Sequence, residues 1–330
     1  MKNQQEIALI QNHFLSFTSR LVFKYKKPMK WLGFNWLYSI LRRRYINGSG
    51  IVELDIHGKR MLINAGNPYP FIVNDVPLFN RPLVALMREV CKKRGRSLIM
   101  IDCGAAFGDT AFLLNEHCPE AVGKIHCVDG DAEFLSILRA NAARLPFHMT
   151  IQQAMLARTG MQIPSLVRHH LGTASATGGG EKTQATTLDA LFETSACPDK
   201  IDVLKIDLDG YDGEALMGAR ALLIRDKPAV IFEWHPNLAL SAGNEPFAAF
   251  DALRETGYKI CLAFLNTGHF SHFGADRREN LELWMQYLLH YQKASDPHFD
   301  IVAIPEELGG IQLPLSYMGL PKPSAGQNQK

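Results

Sequence analysis

Ser97-Leu-Ile-Met-Ile-Asp102-Cys103-Gly104-Ala105-Ala106-Phe107-Gly108-Asp109 is the stretch from which the rest of the chain is read. Its apolar run stops at an acid, turns through two glycines and continues as a helical pattern. α/β proteins use such a turn to let a small ligand approach the backbone, because a Cβ would hold the ligand off and Gly tolerates φ > 0. A second apolar run, Lys124-Ile-His-Cys-Val-Asp129, ends on an acid 21 residues beyond Gly108. That is near the spacing of about 20 at which a carboxylate receives ribose hydroxyls in such folds. Asp102, Gly104, Ala105, Gly108 and Asp129 are therefore the candidate cofactor-binding residues. Ala106 stands where a dinucleotide fingerprint would have its second glycine, which argues for a different nucleoside cofactor. The alternative is a strand-to-helix turn with a structural role only.

At 330 residues, 47% apolar and 21% charged, the chain is long and apolar enough for a large core. Its net charge of +2 is unevenly placed. Residues 1–50 hold nine Lys/Arg (Lys2, Arg20, Lys24, Lys26, Lys27, Lys30, Arg42, Arg43 and Arg44) against one acid, Glu6, so the other 280 carry a net −6. An acidic body argues against nucleic acid as a partner. The six cysteines show no C-x-x-C pair, which fits reduced thiols and no zinc site. No apolar run reaches the roughly 18 to 20 residues of a spanning helix, and no secretory pattern opens the chain. A cytoplasmic location is expected.

Four segments follow from the pattern: a basic, aromatic-rich helical extension at 1–50, a β-hairpin and linker at 51–79, the main domain at 80–304, and a partly disordered tail at 305–330. Pro28 is expected to break the first helical stretch. Trp31, Leu32, Phe34, Trp36, Leu37, Ile40 and Leu41 lie between basic flanks. Two readings stay open for them: a helix packed over the core, or peripheral contact of residues 20–45 with the inner face of an anionic membrane. Alternation on both sides of His57-Gly58 predicts the hairpin. From Ser97 onward, strands are expected near 97–102, 124–129, 148–153, 201–207, 228–233, 258–265 and 299–304. Helices interleave near 108–117, 131–143, 186–193, 212–223, 245–256 and 277–292. This predicts a seven-stranded, mostly parallel sheet with helices on both faces. Residues 158–185, with Gly178-Gly179-Gly180, read as a mobile loop at the active site or a plain surface loop.

Ligands in open α/β sheets bind beyond the carboxyl ends of the strands. Asp102, Asp129, Asp207, Asp209 and Glu233 end predicted strands. Lys205 lies one alternation before Asp207, so both could point the same way, and a charged Lys in an apolar run needs a partner; the alternative to a catalytic role is a structural buried pair of the two.

Taken together, Asp102-Cys-Gly104-Ala-Ala-Phe-Gly108-Asp109-Thr110, Thr187-Leu188-Asp189, Leu204-Lys205-Ile206-Asp207-Leu208-Asp209-Gly210-Tyr211-Asp212, Gly218-Ala219 and Phe232-Glu233 resemble the FkbM-type methyltransferases over residues 97–235. The family more often has Glu where this chain has Asp209 and Asp212, and Glu-Pro where it has Asp129-Gly130. The resemblance implies a class I, Rossmann-like methyltransferase that uses S-adenosyl-L-methionine (SAM), with a hydroxyl on a sugar, glycan or other small metabolite as acceptor. A hydroxyl needs its proton removed. Asp207, Asp209, Glu233 and His235 are the catalytic candidates, and Asp207 with Asp209 could instead hold a divalent cation. Trp234 could stack on a sugar ring, while His269 and His272 could line the acceptor pocket. The competing functions are a metal-dependent glycosyltransferase using Asp207-x-Asp209, and a non-catalytic SAM-binding or membrane-attached scaffold.

Overall fold

Apolar runs of five to eight residues separated by amphipathic helices can bury both faces of a strand only by forming a sheet with helices on each side. The computed structural model describes residues 11–168, 174–175, 182–192, 200–274, 277–291, 297–309, 311 and 313. In chain order the leading part comprises α1 (His13–Trp31), α2 (Asn35–Ile46), β1 (Ile51–Ile56), β2 (Lys59–Asn64), α3 (Tyr69–Asp75) and α4 (Arg81–Arg94). Next come β3 (Leu98–Cys103), α5 (Asp109–His117), β4 (Val122–Asp129), α6 (Ala132–Ala142) and β5 (His148–Gln153). Short strands β6 (Gln162–Pro164), β7 (Val167–Arg168), β8 (Ala174–Ser175) and β9 (Lys182–Gln184) precede α7 (Leu188–Phe192) and β10 (Val203–Ile206). The last part holds α8 (Asp212–Met217), α9 (Arg220–Asp226), β11 (Ala229–Trp234), α10 (Pro236–Ser241), α11 (Ala248–Glu255), β12 (Ile260–Leu265), β13 (Phe270–Phe273), α12 (Arg278–Tyr291) and β14 (Phe299–Ile304).

The main sheet has eight strands in the order β13-β12-β14-β11-β10-β3-β4-β5. The strands from β5 to β11 pair in parallel, while β14, β12 and β13 close the other edge antiparallel. The expectation of seven strands is corrected by β13, which folds back on β12 through Thr267-Gly268. Alternation sends Ile101, Leu204, Ile206 and Phe232 to one apolar layer and Met100, Val203 and Ile231 to the other. Five described cysteines are free, and Cys197 lies outside the described residues.

The break expected at Pro28 falls three residues upstream of it: Tyr25, at φ −110° and ψ 16°, is a non-helical kink that divides His13–Trp31 into two helical stretches. A proline ring crowds the turn before it and removes one N–H, so the distortion falls upstream of Pro28. The 51–79 segment holds the β1–β2 hairpin as expected, and also the short helix α3. Pairing of β6 with β9 shows that part of the 158–185 segment is ordered, whereas Gly178-Gly179-Gly180 and most of the tail beyond Gly309 lie outside the described residues.

Candidate functional site

Because β4, β3 and β10 are adjacent and parallel, their carboxyl ends bring the Gly104 turn, Asp129 and the Asp207–Asp209 loop to one cleft of about 270 Å³. Phe107, Phe134, Leu156, Ile163 and Leu166 supply apolar wall, while Asn67, Tyr69 and Ile72 form a lip contributed by the segment before the main domain.

The first wall is built by backbone geometry. Gly104 and Ala105 both donate their N–H to the Val128 carbonyl, at 2.9 and 3.3 Å. Gly104 sits at φ +77°, and a Cβ on it would lie 1.8 Å from the Asp207 carbonyl oxygen. Only glycine therefore lets the ends of β3 and β10 approach so closely. Ala106, at φ +42°, donates its N–H to Asp129 Oδ2 at 2.8 Å, and Asp131 donates its N–H to Oδ1 at 2.8 Å. Each oxygen of Asp129 keeps a further acceptor position. Burial pushes this carboxyl up to about 6, against the opposing pull of those two N–H bonds. Asp131 in turn caps α6, accepting from the N–H groups of Glu133 and Phe134.

The facing wall is electrostatic. Lys205 and Asp102 are register partners across β10 and β3, and Lys205 Nζ lies 3.1 Å from Asp102 Oδ1 and 3.2 Å from Asp207 Oδ2. Asp102 is fully buried and does not line the cleft, so it anchors the lysine from beneath. Burial raises the Asp102 pKa, with Lys205 opposing the rise. Burial disfavours charge on Lys205, but Asp102, Asp207 and Asp109 outweigh it and hold the ammonium well above its ordinary pKa. Asp207 keeps 46% of its side-chain surface open. Enclosure in the cleft works against its charge, yet Lys205 and hydrogen bonds with Glu233 and Lys205 bring its pKa below the usual carboxylate value.

Asp207 is also within electrostatic reach of Asp109, Asp212, Glu233 and Asp300. Burial first, then this crowding of like charge, raises Asp109 to about 7, Asp212 to about 8 and Asp300 to about 7. Glu233 is driven well above its ordinary value by burial, then by Asp207, Asp212 and Asp209. Two hydrogen-bonded carboxyls cannot both ionise cheaply, so the proton rests on Glu233 and the charge on Asp207. The loop that presents Asp207 is closed by Asp212, whose two side-chain oxygens accept from the N–H groups of Leu208 and Gly210, each at 3.2 Å. Asp209 within it is left-handed at φ +49°.

Of the sequence candidates, Gly104, Asp129, Asp207 and Asp209 meet at the cleft. Ala105 and Gly108 are buried in the turn behind it. Glu233 reaches Asp207 from an adjoining small pocket that it shares with His235. His235 caps α10, its Nδ1 accepting the Leu238 N–H at 3.3 Å, with its ring beside that of His298. Trp234 cannot meet a sugar: it is buried against Phe299 and donates to the Pro246 carbonyl. His272 stacks on Trp284, and neither it nor His269 lines the cleft.

The residue groups that could hold a metal ion, among the described residues, are His57-Glu116-His117 and Glu233-His235-His298; neither contains Asp207 or Asp209. Sequence reasoning did not assign site roles to Asp109, Asp300, His298 or the Asn67–Ile72 lip. Asp300 could have been found from the one acid in the last strand, since it is the register partner of Glu233.

Residues 102–260 match the family model described as methyltransferase FkbM domain. No curated protein matches the chain. Among solved structures, methyltransferase FkbM from Methylobacillus flagellatus KT is 18% identical with a TM-score of 0.35, over 50% of this chain and 40% of that one. The chain thus spans less than half of that protein's length. Precorrin-6y C5,15-methyltransferase from Geobacter metallireducens GS-15 is 13% identical with a TM-score of 0.35, over 68% and 87% of the two chains. The CurJ carbon methyltransferase is 10% identical with a TM-score of 0.40, over 73% and 59%.

Proposed function

We propose that this chain, whose residues 102–260 match the methyltransferase FkbM domain model, transfers a methyl group from SAM to a hydroxyl of a small-molecule or glycan acceptor. The observation that carries this reading is one cleft with a hydroxyl-accepting carboxylate, Asp129, on one wall and a lysine-held carboxylate, Asp207, on the other.

The residues suit the cofactor. Asp129 has one lone pair left on each oxygen for two ribose hydroxyls, and Phe134, Ile163 and Leu166 offer an apolar wall for a purine. Bound there, SAM would supply an electrophilic sulfonium methyl. The protein must then align the acceptor oxygen and exclude water.

Asp207 is the group suited to take the acceptor proton. It is ionised, open to the cleft, and held by Lys205. Its low basicity is adequate, because a hydroxyl oxygen becomes strongly acidic as its new C–O bond forms and releases the proton late. Lys205 keeps its charge throughout and fixes the direction of the carboxylate. Glu233 keeps its own proton and so leaves Asp207 as the acceptor.

The test is transfer of labelled methyl from SAM to a panel of hydroxylated glycans and metabolites. Asp207→Asn is expected to lower turnover about 100- to 10,000-fold while leaving the affinity for S-adenosylhomocysteine (SAH) unchanged. Unchanged turnover in that variant would remove Asp207 from the reaction.

A further inference from the structure

We propose that the α1–α2 hairpin docks the protein on an anionic lipid bilayer through the aromatic tip at residues 31–36. The first half of α1 is an ordinary packed helix: Leu15, Ser16, Ser19 and Val22 are buried, and Ser16 Oγ accepts the Glu53 N–H of β1 at 3.0 Å. Beyond the kink at Tyr25, residues 31–36 at the turn between the helices are all exposed. Trp31 is 86% exposed, Trp36 61%, Leu32 58% and Phe34 46%, with Ile40 exposed one turn further along α2. Packing over the core, one of the two sequence readings, is therefore not what these side chains do. Large apolar residues clustered in exposed positions mark an interaction surface.

The charge around the tip selects the partner. Residues 7–52 contain no acid at all. Lys24 on α1 and Arg42, Arg43 and Arg44 on α2 are exposed. The helices turn back on each other over three residues. Lys24 precedes Trp31 by seven positions and Arg43 follows Trp36 by seven, so each stands about 10 Å behind the tip along its helix. A basic band at that height meets lipid phosphates when the indoles enter the interfacial layer, where Trp is favoured. A protein partner needs no such layering. The acidic remainder of the chain would be repelled by the same surface, which orients the molecule tip-down. Among the described residues no helix is long and apolar enough to cross a membrane, so the contact is peripheral.

At its base the hairpin bears on the cleft. The Tyr45 hydroxyl donates to the Asn67 carbonyl at 2.9 Å, and the Tyr45 ring packs with Phe23 and Phe71. Asn67 is part of the cleft lip, so docking holds the opening in a set relation to the bilayer.

The test is co-sedimentation of the full chain with vesicles of mixed phosphatidylcholine and phosphatidylglycerol, against phosphatidylcholine alone. The protein should bind the anionic vesicles and lose at least about ten-fold in partitioning on neutral vesicles or in high salt. Trp31→Ser/Trp36→Ser and Arg43→Glu/Arg44→Glu should each lose as much while melting at the wild-type temperature. Brominated lipid should quench tryptophan emission in the wild type and not in the Trp pair variant. Absence of binding to anionic vesicles, or equal binding by either variant, overturns the proposal. Light scattering that shows a dimer abolished by Trp31→Ser/Trp36→Ser, with no vesicle binding, would assign the face to a second copy of the chain.

Discussion

Around the cleft Asp102, Asp129, Lys205 and Asp212 are withdrawn into the fold, whereas the hairpin tip is made of apolar side chains pushed out of it. Near Asp207, Lys205 holds Asp207 itself, backbone N–H groups hold Asp212, and Glu233 is held at raised pKa. At the tip, six consecutive residues from Trp31 to Trp36 are exposed. Burial is therefore not following residue chemistry in either region. Both arrangements cost folding free energy, and such costs persist where a site needs them. The cleft needs a fixed pattern of ionised and neutral carboxyls, while the tip needs a surface that another phase can cover.

The largest expected effect comes from Lys205→Met. It leaves Asp102 and Asp207 without their cation, and loss of one partner of a buried pair costs about 3 to 5 kcal/mol. Denaturant unfolding should show that loss together with abolished methyl transfer. Stability within about 0.5 kcal/mol of wild type would mean that the acids of the cleft do not depend on this lysine.

The next effect is in binding. An acceptor for ribose hydroxyls must be ionised, and Asp129 is raised to about 6. The affinity for SAH should thus fall as pH drops below about 6, and Asp129→Asn should bind weakly and with no such pH dependence. Titrations at several pH values check both.

A smaller effect is expected on stability. Asp109 and Asp300 at about 7 and Asp212 at about 8 lie above the unfolded value, so their contribution is present at low pH and is lost as pH rises through those values. The melting temperature of the ligand-free protein should decline from about pH 4, the unfolded carboxyl value, to about pH 8 and level off above it. Asp300→Asn should flatten part of that decline; a slope identical to wild type would show that Asp300 titrates normally.

The parallel half of the sheet was legible because β3, β4, β10 and β11 are largely apolar runs with an acid at or next to their carboxyl ends, and these strands together with β5 fall within two residues of expectation. The Lys205–Asp207 contact followed from alternation alone. What was hidden depends on register. Asp102 looked like a ligand-facing strand end until its pairing with Lys205 put it beneath the site. Asp300 and His298 reach the site only because β14 runs antiparallel to β11. β13 is four residues long, too short for its alternation to stand out from the turn before it. The exposure of the tip was equally unreadable, since a Trp-rich stripe has the same spacing whether a core or a bilayer covers it.

Isothermal titration of the wild-type chain and Asp129→Ala with SAH tests most directly the claim that a nucleoside cofactor seats between the Gly104 turn and Asp129. The account predicts one-to-one binding to the wild type and affinity weaker by at least about ten-fold in Asp129→Ala, a loss of one to two hydrogen bonds to a charged acceptor. Absence of binding to the wild type, or equal affinity in the variant at an unchanged melting temperature, would contradict it.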